Sequence, residues 1–232
     1  MLLRQFLDKE SSTFTYIIAA DYGCPAAIID PVLEQITVYN QFINEYALEL
    51  TYCIDTHTHA DHITGSGLLA KHHHAKIVVS AASQAQPVDI KLHDQQKLQL
   101  GSLELKAIST PGHTDCSMCL ACADCLFTGD TLLIRGSGRT DFQSGDARQQ
   151  YHNIKHKLFC YPDETRVYPA HDYKILTMST IGEEKRFNPR LQAADADAYA
   201  EIMDNLHLDQ PKKIAIAVPA NLKSGLMENQ YE

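Results

Sequence analysis

Residues 56–62 read Thr-His-Thr-His-Ala-Asp-His and place three imidazoles and a carboxylate within six positions. His57 and His59 stand two apart, so on an extended strand end they point the same way. Asp61 and His62 come next, where the chain is expected to turn into a helix over 63–71, which puts the cluster on a strand-to-helix loop. Neutral imidazole and carboxylate together suit zinc, iron, manganese or nickel rather than calcium. Histidines also occur without such spacing, as at His72, His73 and His74, so the case for a metal rests on ligand types and spacing coinciding.

Three later motifs extend the set. Thr110-Pro-Gly-His-Thr114, Phe127-Thr-Gly-Asp-Thr131 and Tyr168-Pro-Ala-His-Asp-Tyr173 each deliver a histidine or an aspartate just after an apolar, strand-like run. Those runs are 103–108, 119–127 and 166–168. Four strand ends sending ligands to one sheet edge is how a rigid scaffold builds a metal site.

This order of motifs resembles the metallo-β-lactamase superfamily and spans most of the chain. The resemblance implies an αββα sandwich of two mixed sheets flanked by helices. Within that superfamily, Phe127 to Gln143 (ending Gly138-Arg-Thr-Asp-Phe-Gln143) followed by Gly145-Asp146, and Ser179 to Leu191, are similar to the signature stretches of the glutathione persulfide dioxygenases. Glyoxalase II, a glutathione thioester hydrolase, shares the metal motifs but lacks the Arg-Thr-Asp-Phe-Gln run. The chain departs from the family pattern at Ser137, often Cys, and at Ile175, usually Gly, and no customary glycine follows Thr114.

The residue types allow two site designs. A dinuclear hydrolase would use His57, His59 and His113 on one metal and Asp61, His62 and His171 on the other, with Asp130 bridging. Two such ions, zinc or a mixed pair, would activate a shared water for attack on an acyl carbon. A mononuclear dioxygenase would use two histidines and one carboxylate and leave three iron positions open. Resemblance to the persulfide dioxygenases implies the second design: one Fe(2+) on His57, His113 and Asp130, with His59, Asp61, His62 and His171 orienting them. It also implies glutathione persulfide and O2 as substrates, with sulfite and glutathione as products. The persulfide sulfur supplies all four electrons, and no Gly-x-Gly-x-x-Gly nucleotide motif occurs. Arg139, Tyr173 and Arg190 are, by resemblance, the groups that meet the glutathione carboxylates, since a guanidinium grips a carboxylate through two hydrogen bonds. Their structural alternatives are a loop pair with Asp141 for Arg139, a half-buried ring for Tyr173 and a carbonyl cap near Pro189 for Arg190.

Composition sets the frame. At 232 residues the chain has ample length for a buried core, and is expected to form one domain over 1–232 with a short helical or polar C-terminal tail that frays after Pro219. A net charge of −9 with no basic block argues against nucleic acid and anionic membranes as partners. No apolar run reaches the length of a membrane span, and the N-terminus carries no leader pattern, so a cytoplasmic protein is expected. A homodimer is compatible with all of this. Seven cysteines, an odd number, argue against a full disulfide framework.

Cys116, Cys119, Cys122 and Cys125 recur every three residues, which raises a second metal or iron–sulfur site, and with it a non-catalytic redox-sensing module. A period of three does not keep side chains on one face of a strand, whose period is two, so a plain hairpin turning at Ala123-Asp124 is favoured. Elsewhere the periodicity predicts strands at 14–20, 26–29, 48–54, 76–80, 98–100 and 103–108, and helices at 31–47, 146–159 and 191–206.

Overall fold

The computed structural model describes residues 1–173, 176–210 and 213–226. Ile175 lies outside them, as do the last six residues of the tail. The fold is the one expected, two mixed sheets flanked by helices. The first sheet runs in the order β1 (Leu2–Asp8), β2 (Thr13–Ala19), β3 (Pro25–Ile29), β4 (Glu49–Ile54), β5 (Lys76–Ser80), β6 (Ile90–Leu92). Its first three strands are antiparallel neighbours, and β3 to β6 pair in parallel. The second sheet runs β12 (Ser179–Thr180), β11 (Arg166–Pro169), β10 (Cys125–Gly129), β9 (Met118–Cys122), β8 (Leu103–Ser109), β7 (Lys97–Leu100), with β10 and β11 its parallel pair.

The chain divides into two compact units. One comprises Met1–Leu92, Leu98–Leu105 and the C-terminal segment from Gln210; the other comprises His93–Lys97 and Lys106–Asp209. In the first unit, Ile17, Ile28, Leu50 and Cys53 of the sheet pack with Tyr39, Phe42 and Ile43 of helix α1 (Ile36–Glu45) and Leu69 of α2 (Ser66–His73). In the second, Ile108, Cys119, Leu126 and Val167 pack with Ile154 and Leu158, with Ile181 of α4 (Ile181–Phe187), and with Tyr199 and Met203 of α5 (Ala196–Asp204). Helix α3 (Ala147–Asn153) begins at Asp146, whose carboxylate accepts from the Gln149 N–H at 3.0 Å.

Several expected boundaries move, each for a local reason. The helix expected at Pro31 starts at Ile36, because Val32 is extended and bridges Thr64 while the Leu33 N–H donates to the Ile63 carbonyl at 2.9 Å. The helix expected from Ile63 starts at Ser66, since the Thr64 and Ser66 hydroxyls both donate to the buried Asp55 carboxylate, at 2.7 and 3.1 Å. The helix expected over 191–206 splits, because Asp195 caps a fresh start by accepting from the Ala198 N–H at 2.9 Å. The tail carries helix α6 (Ile214–Asn221), and the fraying expected after Pro219 is the clearest correction, since Asn221 and Ser224 are buried.

Candidate metal and substrate site

Parallel pairing sets the site because it places the C-terminal ends of adjacent strands side by side. In the first unit, β3 ends at Asp30 and β4 runs into the 56–62 loop, and the Asp30 N–H donates to the Ile54 carbonyl at 2.8 Å. Asp30 is buried, and its φ of +52° lies in the left-handed region. Its carboxylate accepts from the Thr56 N–H at 2.7 Å, from the Thr56 hydroxyl at 2.9 Å and from His59 Nε2 at 3.1 Å. The Thr56 hydroxyl spends its only proton on Asp30, so it accepts from His57 Nδ1 at 3.0 Å. The proton of His57 is thereby held on Nδ1 and Nε2 keeps its lone pair.

Around the same loop, His62 Nδ1 contacts the Asp61 carboxylate at 2.9 Å, and Asp61 also accepts from Thr13 at 2.9 Å. Ring centroids of His57 and His59 are 4.1 Å apart, and those of His59 and His62 are 4.4 Å apart. His59 Nδ1 and His62 Nε2 are buried with no hydrogen-bond partner among the described residues. Ligand atoms of His59, Asp61 and His62 all lie within 4.8 Å of one another. Burial works against protonation of His59, but the Asp30 carboxylate outweighs it and pushes the imidazole up to about 9.

In the second unit, His113 follows β8, Asp130 follows β10 and His171 follows β11, with the Ala170 N–H donating to the Gly129 carbonyl at 2.9 Å. His171 Nδ1 donates to Asp130 Oδ1 at 2.7 Å and fixes the carboxylate plane. His113 Nδ1 donates to the Arg139 main-chain carbonyl at 2.6 Å, so His113 Nε2 presents a lone pair. That nitrogen is 3.6 Å from Asp130 Oδ2. Two acceptors facing each other at this distance are what a cation between them satisfies, so these residues fit a bound metal.

The predicted recognition groups are all in the second unit, in unequal situations. Arg139 is committed: Nε and Nη2 grip both oxygens of Asp141 at 2.7 Å, and Nη1 donates to the Asp209 carbonyl at 2.6 Å. That grip holds the Asp141 carboxyl below its ordinary range. Arg190 donates through Nη1 to the Ser137 carbonyl and at 3.3 Å to the Ser137 hydroxyl, and burial lowers its pKa. Tyr173 stacks on His171 at 5.9 Å with its ring 72% exposed, not half-buried. The four cysteines sit as the hairpin reading has them: Cys119 and Cys122 on β9, Cys125 on β10 directly opposite Cys122, and Cys116 just before, all buried.

Sequence reasoning missed Asp30, Asp55 and Asn221. Asp30 and Asp55 close strands β3 and β4, the one detectable signal, whereas nothing in the order of residues ties Asn221 to a loop about 160 positions away.

A metallo-β-lactamase superfamily model matches residues 9–171. The chain belongs to that superfamily. It is 43% identical over 229 residues to the human mitochondrial persulfide dioxygenase ETHE1, covering 97% of this chain and 89% of the relative. The crystal structure of ETHE1 from Myxococcus xanthus superposes with a TM-score of 0.95 at 46% identity, covering 97% of this chain and all of that one. A probable hydroxyacylglutathione hydrolase of Schizosaccharomyces pombe is 26% identical over 87% of this chain. Within the superfamily the chain therefore belongs to the persulfide dioxygenase family. Among the described residues no helix is long and apolar enough to cross a membrane.

Proposed function

We propose that this protein is a persulfide dioxygenase that converts glutathione persulfide, O2 and water to glutathione and sulfite, using one Fe(2+) held by His57, His113 and Asp130. The observation that carries the reading is near-full-length likeness to persulfide dioxygenases at 43% identity, against 26% for the thioester hydrolase. A ferrous ion there would supply open positions for sulfur and oxygen and the path for four electrons from the outer persulfide sulfur to O2.

The protein's own part is to present and hold ligands. Asp30, acting through the Thr56 hydroxyl, keeps the His57 proton on Nδ1, and the Arg139 carbonyl does the same for His113. His171 anchors Asp130 through Oδ1, and Asp130 would hold the metal together with His57 and His113. Arg190 and Tyr173 meet the glutathione carboxylates, and Arg139 adds positive charge from beside them. Arg190 is the principal grip, because among the described residues only its Nη1 is engaged with protein.

Buried, unpartnered nitrogens on His59 and His62 favour a second reading, a two-metal thioester hydrolase with zinc or a mixed pair. Metal analysis and oxygen uptake separate the two. The first reading expects one iron per chain and oxygen consumption with glutathione persulfide; two metals with thioester hydrolysis and no oxygen uptake would replace it. We place the activity in one domain over 1–232, in the cytoplasm, with no nucleic-acid or membrane partner, and homodimer formation is open to measurement by scattering.

A further inference from the structure

The C-terminal segment reaches back to the metal-ligand loop through one side chain. Asn221 closes α6 and is only 5% exposed. Its Nδ2 donates to the His59 carbonyl at 2.9 Å and to the His62 carbonyl at 2.8 Å, while its Oδ1 accepts from the Thr64 N–H at 2.8 Å. All three bonds go to main chain between the first histidines and α2, so one amide fixes the turn that carries Asp61. The geometry selects asparagine: two donors and one acceptor are needed on a short stem. Aspartate has no donor for the two carbonyls, and a glutamine amide sits one methylene further out.

The segment beyond is built to hold Asn221 there. The Gly67 N–H donates to the Ser224 carbonyl at 3.0 Å, and the Gln86 N–H donates to the Leu222 carbonyl at 2.9 Å. Gly225 has φ +75°, and a Cβ there would lie 2.0 Å from the Thr64 carbonyl oxygen. The chain thus passes Thr64 at a distance that only glycine permits.

We propose that Asn221 is a positioning residue for metal binding: its side-chain amide locks the backbone of the 56–64 loop so that its imidazoles converge. This rests on the proposed metal site, and the test separates the two. The full chain is stripped of metal and titrated without oxygen, once with ferrous ion and once with zinc, as wild type, Asn221→Asp, the milder Asn221→Ser, and Ser224→Ala. Ser224 lies in the same segment but donates to the Pro87 carbonyl at 2.7 Å, away from the loop. Both Asn221 variants should lose about 10- to 100-fold in metal affinity, as removal of ligand-orienting partners does. Ser224→Ala should keep its affinity while its metal-free melting temperature falls comparably. Unaltered affinity in Asn221→Ser, or equal loss in Ser224→Ala, overturns the proposal. Wild type that takes zinc but no iron defeats the iron reading above and leaves the Asn221 comparison intact.

Discussion

His113 Nδ1 donates to the main-chain carbonyl of Arg139 at 2.6 Å, so Arg139 holds this proposed metal ligand with its backbone while its side chain turns to Asp141. Substituting that side chain leaves the histidine's anchor in place. The position with no room for a side chain is its neighbour.

Gly138 donates through its N–H to the Asp130 carbonyl at 2.7 Å, and a Cβ on it would lie 2.2 Å from that carbonyl oxygen and 2.9 Å from the His113 ring. Gly138→Ala must push apart two of the three proposed ligands. We expect a stability loss of about 1–3 kcal/mol, as for overpacking, in urea titrations. Iron content should fall well out of proportion to that loss. An alanine variant with full iron would mean that the loop relaxes without moving His113 or Asp130.

The cysteines should prove dispensable for chemistry. Cys122 faces Cys125 across the hairpin, and Cys119 Sγ donates to the Thr128 carbonyl at 3.4 Å, as small core residues do. Changing Cys116, Cys119, Cys122 and Cys125 together to Ser should leave iron content and turnover near wild type. Stability should fall by about 1 kcal/mol per buried site, read by chemical denaturation. Loss of a visible iron–sulfur absorption band in that variant would assign them a cofactor instead.

The placement of the proposed site residues was legible in the sequence because each follows a strand: His57 after β4, His113 after β8, Asp130 after β10 and His171 after β11. The hairpin at Ala123-Asp124 was legible from period together with the family resemblance. Strand β1 was not, because its edge position leaves most of Leu2–Asp8 half-buried with no clean alternation. The extent of helix α6 was hidden by Pro219 and an evenly apolar composition, and the polar residues after that proline concealed Asn221. Helix α4 has a readable start, Thr180 accepting from the Glu183 N–H at 3.2 Å in a Thr-x-x-Glu pattern, but its seven residues are too few to show an apolar period. Long-range partners of the loop, Asp30 above all, depend on strand order, which composition and periodicity do not contain.

Acid sensitivity should be traceable at Asp94. Burial alone would raise its pKa, but the Ser109 N–H at 2.7 Å, Gln95 and Lys157 outweigh burial and hold it below the ordinary value. A carboxyl whose folded pKa is depressed adds stability above its unfolded value, about 3.9, and loses it as pH falls through the folded one. The side chain is 42% exposed, so solvent screening limits its worth to below about 1 kcal/mol. Asp94→Asn should melt about 2 °C below wild type at pH 7. The gap should close as pH drops below about 4. A gap constant across that range would show that the asparagine disturbs packing and not charge.

The two arginines near Ser137 should differ in what they do for substrate. Arg139 is gripped by both oxygens of Asp141 and by the Asp209 carbonyl, so a carboxylate would have to displace or share existing partners. Among the described residues Arg190 donates through Nη1 alone, to Ser137, so its other guanidinium nitrogens would serve the proposed ligand. A charge-assisted hydrogen bond is worth about 1.5–3 kcal/mol, so Arg190→Ala should lower kcat/KM for glutathione persulfide by about ten- to a hundredfold, mainly through KM. Arg139→Ala should cost less than about tenfold, because its exposed partner Asp141 makes a weak pair and its main-chain carbonyl still holds His113. Iron content should stay at wild-type level in both, and a small persulfide lacking carboxylates should be turned over alike by all three proteins. Equal losses in the two variants would make Arg139 a full partner in recognition, exchanging Asp141 for substrate. Unaltered kinetics in Arg190→Ala would place the carboxylate grip elsewhere.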